Sequence, residues 1–285
     1  MMPSINDWQA RFSIANQTIA ITANDALYAK DIAAFVRLYA PCQKSADISF
    51  DFLSNGEKQY LILDGQYELW QGSNAPETVA AFEIQLYTQV IQRIYPHYLS
   101  LHAGCISTGD EAWMFAGQSG AGKSSITTAA LLNGCQYMTD EFSLLDEHGF
   151  ISAMPRPMQW DEPEHPAFSH RMMLESTSFE RELFVFPDYQ GLDTQLQLWL
   201  PTNVQHEDMP LTRLIFPRFD ASALSAQLSP LRRSEALMQL AQHFHQNILP
   251  SERIQLLNQR IPENIQACQL VFSDVHAAWD ALIKV

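Results

Sequence analysis

A glycine-rich segment followed at once by lysine and serine constrains this sequence more than any other feature. Residues 117–124 read Gly-Gln-Ser-Gly-Ala-Gly-Lys-Ser, which fits the pattern G-x-x-x-x-G-K-[ST] at every constrained position. The apolar run 111–116 before it is typical of a buried strand, and the Ala- and Leu-rich segment 124–133 after it predicts a helix. This order favours a phosphate-binding loop, because backbone N–H groups and the positive end of the helix converge there.

The pattern gives the loop residues distinct roles in a nucleoside triphosphate site. Lys123 supplies a mobile positive charge for the outer phosphates, and the hydroxyl of Ser124 is a ligand for Mg²⁺. The cofactors predicted from the sequence are therefore ATP and Mg²⁺. The residues expected to bind the nucleotide are Gly117, Gln118, Ser119, Gly120, Ala121, Gly122, Lys123, Ser124 and Ser125.

Two adjacent acids are the best candidates for the remaining chemistry. Asp140 and Glu141 follow a short predicted strand, residues 135–139, and ligands of open α/β sheets collect at the carboxyl ends of strands. One carboxylate could bind the metal together with Ser124, while the other takes a hydroxyl proton. The alternative is a pair of solvated carboxylates in a turn.

Composition excludes several classes of protein. The net charge of −15, from 32 acidic and 17 basic residues, disfavours a nucleic-acid partner because phosphate backbones would be repelled. The four cysteines form no C-x-x-C pair, so neither a zinc cage nor a disulfide framework is indicated. No apolar run approaches the roughly 18 residues of a membrane helix, and the first residues lack the order of a signal peptide. The sequence therefore predicts a cytoplasmic protein without a membrane partner.

The periodicity divides the chain into two parts. Residues 1–97 predict a small α+β unit, with strands at 48–54, 59–64 and 67–71 and helices at 26–40 and 76–95. Residues 98–285 predict a second unit that contains the glycine loop.

Three local predictions in the second unit bear on the site. The Pro-rich segment 155–170 predicts a surface loop, or alternatively a mobile lid over the nucleotide. A long helix is expected from Ser229-Pro230 to about residue 248, with proline in its first turn. On such a helix His243 and His245 would point to different faces, so they predict an ordinary helix surface and no metal site.

Several blocks together resemble a known family. Leu101-His102-Ala103-Gly104, residues 115–125, and Met138-Thr139-Asp140-Glu141 are similar to the catalytic domain of bacterial HPr kinase/phosphorylase, whose core is shared with ATP-dependent phosphoenolpyruvate carboxykinases. The segments 210–216, 228–237 and 271–280 are similar to the HPr-kinase-related proteins of bacterial biosynthetic clusters. The resemblance implies an α/β fold with this phosphate-loop core, preceded here by the small N-terminal α+β unit.

The resemblance also implies roles for named residues. Lys123 would lie on the β- and γ-phosphates, and Asp140 would be the acid/base that activates the acceptor hydroxyl. Glu141 would share in the metal site with Ser124 and Asp140. His102 would lie near the metal and phosphates as a catalytic residue; the alternative is a hydrogen-bonded core histidine.

The leading hypothesis from the sequence is an ATP- and Mg²⁺-dependent kinase. The acceptor would be a hydroxyl of a protein, a peptide or a small molecule. The chain lacks the family's V-D-P-G-R-N-type segment, so HPr as acceptor and the reverse reaction both stay open. The alternative is a nucleotide-binding regulatory or assembly protein without phosphoryl transfer, and a homo-oligomer is compatible with either hypothesis.

Overall fold

The chain is a mixed α/β protein with two compact units. In this computed structural model, the described residues are 8–24, 32–72, 75–160, 165–187 and 193–284. The first unit comprises Met1–Ile94 together with Arg181–Leu200, and the second comprises Tyr95–Glu180 together with Pro201–Val285.

The first unit contains a five-stranded sheet and a long helix. Its strands lie in chain order in the sheet: β1 (Trp8–Ile14), β2 (Gln17–Ala23), β3 (Ile48–Ser54), β4 (Gln59–Leu63) and β5 (Tyr67–Gly72). The helix α1 (Ala75–Ile94) packs Phe82 against Phe50 and Phe52 of β3, with ring centroids 5.2 Å apart in each pair. The strands and the helix predicted between residues 48 and 95 are therefore confirmed. Of the helix predicted at 26–40, residues 32–36 are helical and 25–31 lie outside the described residues.

A hairpin that the sequence analysis did not assign interrupts the predicted second unit. β11 (Phe179–Pro187) and β12 (Asp193–Pro201) form a two-stranded sheet, and most of this hairpin belongs to the first unit. Arg37 forms an ion pair with Glu182 of β11, with Nη2 of the arginine 2.7 Å from Oε1 of the glutamate. Residues 98–285 are thus not one continuous unit, because residues 181–200 contact a part of the chain that lies far away in the sequence.

The second unit is built on an eight-stranded sheet. Its strands are β6 (Leu99–Thr108), β7 (Glu111–Ala116), β8 (Gln136–Thr139), β9 (Phe142–Leu145), β10 (Phe150–Ser152), β13 (Met209–Phe219), β14 (Gln227–Pro230) and β15 (Gln266–Phe272). The order is β10-β9-β6-β7-β13-β15-β14, with β8 also paired to β6. Because β7, β13 and β15 run parallel, their carboxyl ends meet at one edge.

The antiparallel strands bring further residues to that same edge. β6 pairs Ala103 with Ala116, so the residues beside His102 lie next to the end of β7. β8 pairs Thr139 with Cys105, which places the start of the Asp140-Glu141 segment at this edge as well. The sheet topology therefore gathers at one edge segments that are far apart in the sequence, from His102 to the end of β15 at Phe272.

Five helices accompany this sheet within the described part of the chain. They are α2 (Lys123–Leu132), α3 (His170–Glu175), α4 (Arg233–Leu240), α5 (Pro250–Arg260) and α6 (Val275–Ile283). α2 lies close to β6, because a Cβ atom on Gly104 would come within 2.9 Å of Oγ1 of Thr127. None of the described helices is long and apolar enough to cross a membrane.

The long helix predicted from Ser229 to about residue 248 is wrong. Leu228 and Pro230 instead pair with β15 in the edge strand β14, and α4 is confined to eight residues. Beyond α4 the backbone bonds to β6: the N–H of His245 donates to the carbonyl of Ser100 at 3.0 Å. Pairing with two distant strands has replaced the local helical preference of this segment.

Candidate functional site

The glycine loop, residues 117–122, connects the end of β7 to the start of α2. Gly120 and Gly122 have φ angles of 76° and 97°, in the left-handed region that side chains rarely adopt. A Cβ atom at Gly122 would also lie 2.5 Å from Cζ of Phe272. Glycine at position 122 is therefore required twice, by its backbone conformation and by the close approach of Phe272.

The side chain of Lys123 folds back over this loop. Its ammonium donates to the carbonyl of Gly117 at 2.8 Å and to that of Gln118 at 3.3 Å. Burial lowers the pKa of Lys123, while the negative charges of Glu141 and Asp140 act in the opposite direction. The structure thus holds a buried lysine charge at the loop, within electrostatic reach of both acids.

Asp140 is a buried carboxylate with a defined partner. Its side chain lies at the end of β8 and is 7% exposed. The hydroxyl of Tyr137 donates to Oδ1 of Asp140 at 3.0 Å and also lies 3.0 Å from the carbonyl oxygen of Arg156. Burial raises the pKa of Asp140, and the positive charge of Arg156 acts against this rise. A solvated turn, the alternative considered from the sequence, does not describe Asp140.

Glu141 lies in a cluster with two histidines. Oε1 of Glu141 is 2.7 Å from Nδ1 of His102, and the rings of His102 and His245 are 5.6 Å apart. One donor atom from each of the three residues can be chosen so that all lie within 4.8 Å of one another. Burial alone would raise the pKa of Glu141, but the hydrogen bond and charge of His102 outweigh it and leave the pKa lowered. Two imidazoles and a carboxylate form a donor set that could hold a divalent cation.

His245 is a site residue that the sequence analysis assigned to a helix surface. Its Nδ1 lies 3.0 Å from Oγ of Ser100, and its backbone N–H bonds to the carbonyl of the same serine. The carbonyl of His243 accepts from the N–H of His102 at 2.6 Å. Burial lowers the pKa of His243 and of His245 to about 4. No local sequence pattern predicts these contacts, since they join segments more than 140 residues apart.

The glycine loop, the two acids and His102 border one cavity of about 890 Å³, whose lining does not include His243 or His245. The predicted catalytic and metal residues His102, Lys123, Asp140 and Glu141 all line it. Among the predicted nucleotide-binding residues, it is lined by Ser119, Gly120, Gly122, Lys123, Ser124 and Ser125. Gly117, Gln118 and Ala121 complete the glycine loop without lining the cavity.

The Pro-rich segment forms part of the cavity wall. Met158, His165 and Phe168 are buried, whereas Gln159 and Pro166 are exposed. The described part of 155–170 is therefore an irregular segment that lies only partly at the surface. Nδ1 of His165 accepts from the N–H groups of Ala167 and Phe168 at 2.9 and 3.2 Å. Residues 161–164, which carry Asp161, Glu162 and Glu164, lie outside the described residues. The mobile lid stays a prediction.

Two further cavity residues were missed by the sequence analysis. Arg156 lines the cavity, and its positive charge opposes the rise in the pKa of Asp140 and helps to lower the pKa of Glu141. Trp160 lies beside His165, with ring centroids 4.5 Å apart. Both residues come from the Pro-rich segment, whose composition carries no periodic signal for a buried position.

Comparison with known proteins adds no assignment. No family model matches this chain, and no curated protein matches it either. The chemistry of the cavity must therefore be inferred from its own groups. It combines a buried lysine, oxygen donors from Ser124, Asp140 and Glu141, and a carboxylate of raised pKa. Such a set can neutralise an anion, bind a hard cation and accept a proton.

Proposed function

We propose that this protein is an ATP- and Mg²⁺-dependent kinase that transfers the γ-phosphate to a hydroxyl of a protein, a peptide or a small molecule. The observation that carries the proposal is that Lys123, at the glycine loop, and Asp140 line the same cavity and interact electrostatically. A protein that only binds a nucleotide needs the lysine but has no use for a buried base. The pairing of the two therefore favours phosphoryl transfer over binding alone.

The residues present fit the two cofactors. The glycine loop ends at the start of α2, where backbone N–H groups and the positive helix end favour phosphate groups. Ser124 and Glu141 supply oxygen ligands of the kind that Mg²⁺ prefers, and Asp140, which the sequence predicted as a third ligand, lines the cavity with them and serves mainly as the base. When bound, the ion would neutralise charge on the phosphates and orient them. Lys123 would leave the carbonyls of Gly117 and Gln118 to contact the outer phosphates.

Asp140 is the proposed general base. Oδ1 accepts the hydroxyl of Tyr137, so Oδ2 is the oxygen that we assign to the acceptor hydroxyl. The proton would move from that hydroxyl to Asp140 as the oxygen attacks the γ-phosphorus, while the bond from the γ-phosphorus to the β,γ-bridging oxygen breaks and ADP leaves. The raised pKa of Asp140 makes it a stronger proton acceptor than a solvated aspartate. Tyr137 acts as a positioning residue, because its hydroxyl fixes the orientation of the carboxylate.

The same reasoning supports the proposed fold relationship. The order of strand, glycine loop, helix and a strand ending in two acids, with His102 beside them, is what an HPr-kinase/PEP-carboxykinase-like phosphate-loop core would contain. The net charge of −15 supports an acceptor other than nucleic acid. The cytoplasmic location stays a prediction.

Two measurements test the proposal. Mg-ATP should raise the unfolding temperature of the wild type, since a ligand of the native state stabilises it. Lys123→Ala should lose most of this shift. Lys58→Ala, which changes an exposed lysine in the loop between β3 and β4, should keep it. No shift at millimolar Mg-ATP would contradict nucleotide binding.

The second measurement follows radiolabelled γ-phosphate in lysate of the source organism. Label in a protein, peptide or metabolite that appears with wild type and not with Asp140→Asn supports a kinase. Asp140→Asn should keep the thermal shift with Mg-ATP while transfer falls by at least ~10²-fold, the usual share of a general base. Label found only in inorganic phosphate would favour an ATPase, and binding without turnover would favour the regulatory or assembly protein.

A further inference from the structure

The order of strands in the second unit divides the cavity into two ends. β7, which leads into the glycine loop, lies between β6 on one side and β13 on the other. Glu141 and His102 belong to the β6 side, together with Asp140 at the end of β8. The ends of β13 and β15 lie on the opposite side of the loop, where Phe219 and Phe272 are paired residues.

This division fixes the direction of a bound nucleotide. If the γ-phosphate is to meet Asp140, the terminal phosphate must point toward the β6 side. The nucleoside must then extend from the glycine loop toward the β13 side. Phe219, Phe272, Ser273, Asp274 and Val275 line the cavity at that end.

Phe219 is anchored directly to the glycine loop. Its N–H donates to the carbonyl of Ala121 at 3.2 Å, and the N–H of Asp220 donates to the carbonyl of Phe272 at 2.8 Å. The ring of Phe219 contacts the ring of Phe272 edge to face, with centroids 5.9 Å apart. Phe272 in turn approaches Gly122 so closely that it excludes a side chain there. The position of the Phe219 ring relative to the phosphate loop is therefore set by contacts on both sides.

The two phenylalanines differ sharply in exposure. Phe272 is 1% exposed, whereas Phe219 keeps 52% of its surface exposed at the cavity. An anchored aromatic ring that lines the cavity and is half exposed is suited to stacking on a flat ligand group. The nearby carboxylate of Asp274 already has a structural role, because it caps α6 by accepting from the N–H of Ala277 at 2.7 Å.

We infer that the base of the nucleotide stacks on the ring of Phe219, which Phe272 helps to hold in place through their edge-to-face contact. This base subsite rests on the proposed nucleotide binding and extends it to the nucleoside end. Stacking uses the face of the base, so it contributes affinity without requiring one particular base. The subsite therefore predicts that a nucleoside triphosphate binds more tightly than inorganic tripolyphosphate.

The test compares the dissociation constants of Mg-ATP and Mg-tripolyphosphate by calorimetry. Wild type should prefer ATP by about tenfold, the ratio expected for loss of one aromatic stacking contact. Phe219→Ala should remove this preference by weakening ATP alone, and Phe219→Trp should restore it. Phe150→Ala provides a matched control, since Phe150 is a 38% exposed phenylalanine of β10 outside the cavity lining.

The outcomes separate this inference from the proposed function. Binding of ATP by wild type that is unchanged in Phe219→Ala overturns the base subsite and leaves the kinase proposal standing. Equal weakening of both ligands in Phe219→Ala indicates damage to the glycine loop and also overturns the subsite. If wild type binds neither ligand, both proposals fail.

Discussion

The hydroxyl of Tyr137 lies 3.0 Å from Oδ1 of Asp140, at the end of the short strand β8. Both side chains are buried, and burial together with the nearby carboxylate raises the pKa of Tyr137 well above its ordinary value. The phenol therefore stays protonated and acts as a donor. This contact gives Asp140 one occupied oxygen and a fixed orientation toward the cavity.

Tyr137→Phe should reduce phosphoryl transfer without abolishing nucleotide binding. The carboxylate of Asp140 would lose a hydrogen bond that orients it, and we expect kcat to fall by about tenfold, the cost of roughly 1.4 kcal/mol. The KM for Mg-ATP should stay within about twofold, since the tyrosine hydroxyl bonds to Asp140 and to the carbonyl of Arg156, neither of which belongs to the predicted nucleotide-binding loop. Tyr95→Phe, at an exposed tyrosine, serves as the control in steady-state assays. A larger change in KM than in kcat would contradict a positioning role.

Gly122→Ala should destabilise the second unit more than Gly120→Ala. Both positions have positive φ, which costs an alanine about 1–2 kcal/mol. Only at Gly122 would the new Cβ meet Phe272, at 2.5 Å, whereas nothing lies within 4 Å at Gly120. Overpacking typically adds about 1–3 kcal/mol to the loss of unfolding free energy. Denaturant unfolding of the two variants measures this difference, and equal losses would show that Phe272 can move aside.

The cluster of His102, Glu141 and His245 should bind a divalent transition metal in the absence of nucleotide. Mn²⁺ or Zn²⁺ at micromolar concentration should raise the unfolding temperature of wild type, because a cation bound only by the native state stabilises it. His245→Ala should lose this shift, since one of the three ligands is removed. His243→Ala is the matched control, because this histidine is similarly buried but lies outside the cluster. A shift of equal size in both variants would place the metal elsewhere.

His165 should make the stability of the protein depend on pH. Burial lowers its pKa from 6.5 to about 4, so the unfolded chain binds more protons than the native protein between these values. The contribution of neutral His165 to the unfolding free energy is therefore complete above pH 6.5, and it is lost as the pH falls from 6.5 toward 4. At pH 5 the expected loss is about 2 kcal/mol of unfolding free energy.

His165→Asn isolates that contribution. The side-chain oxygen of asparagine can still accept from the N–H groups of Ala167 and Phe168, but it does not titrate in this range. Urea unfolding at pH 5 and pH 7 should therefore show a smaller difference in this variant than in wild type. His148→Asn, at an exposed histidine, should behave as wild type. An unchanged difference in His165→Asn would show that other groups govern the acid sensitivity.

Much of the site could be predicted because its chemistry is local in the sequence. The glycine loop with Lys123 and Ser124 lies within eight consecutive residues, and the structure places the loop between the strand and the helix that were expected around it. Asp140 and Glu141 could be placed beside it because a strand precedes them, and ligands of α/β sheets collect at the carboxyl ends of strands; the structure puts this strand end at the same edge as the glycine loop. The strand at 48–54 could likewise be predicted from its apolar patterning.

The sequence by itself determined the elements whose hydrogen bonds and side-chain periodicity are satisfied within a few residues: the glycine loop, the helix that follows it and the acidic strand end. Only the tertiary structure decided which distant groups complete the cavity. His245 hydrogen-bonds to Ser100, and Phe219 at the end of β13 hydrogen-bonds to the backbone of Ala121. The same long-range pairing turned residues 227–230 into an edge strand. The physical reason is that backbone pairing and burial between remote segments outweigh local propensities of a few tenths of a kcal/mol per residue, roughly.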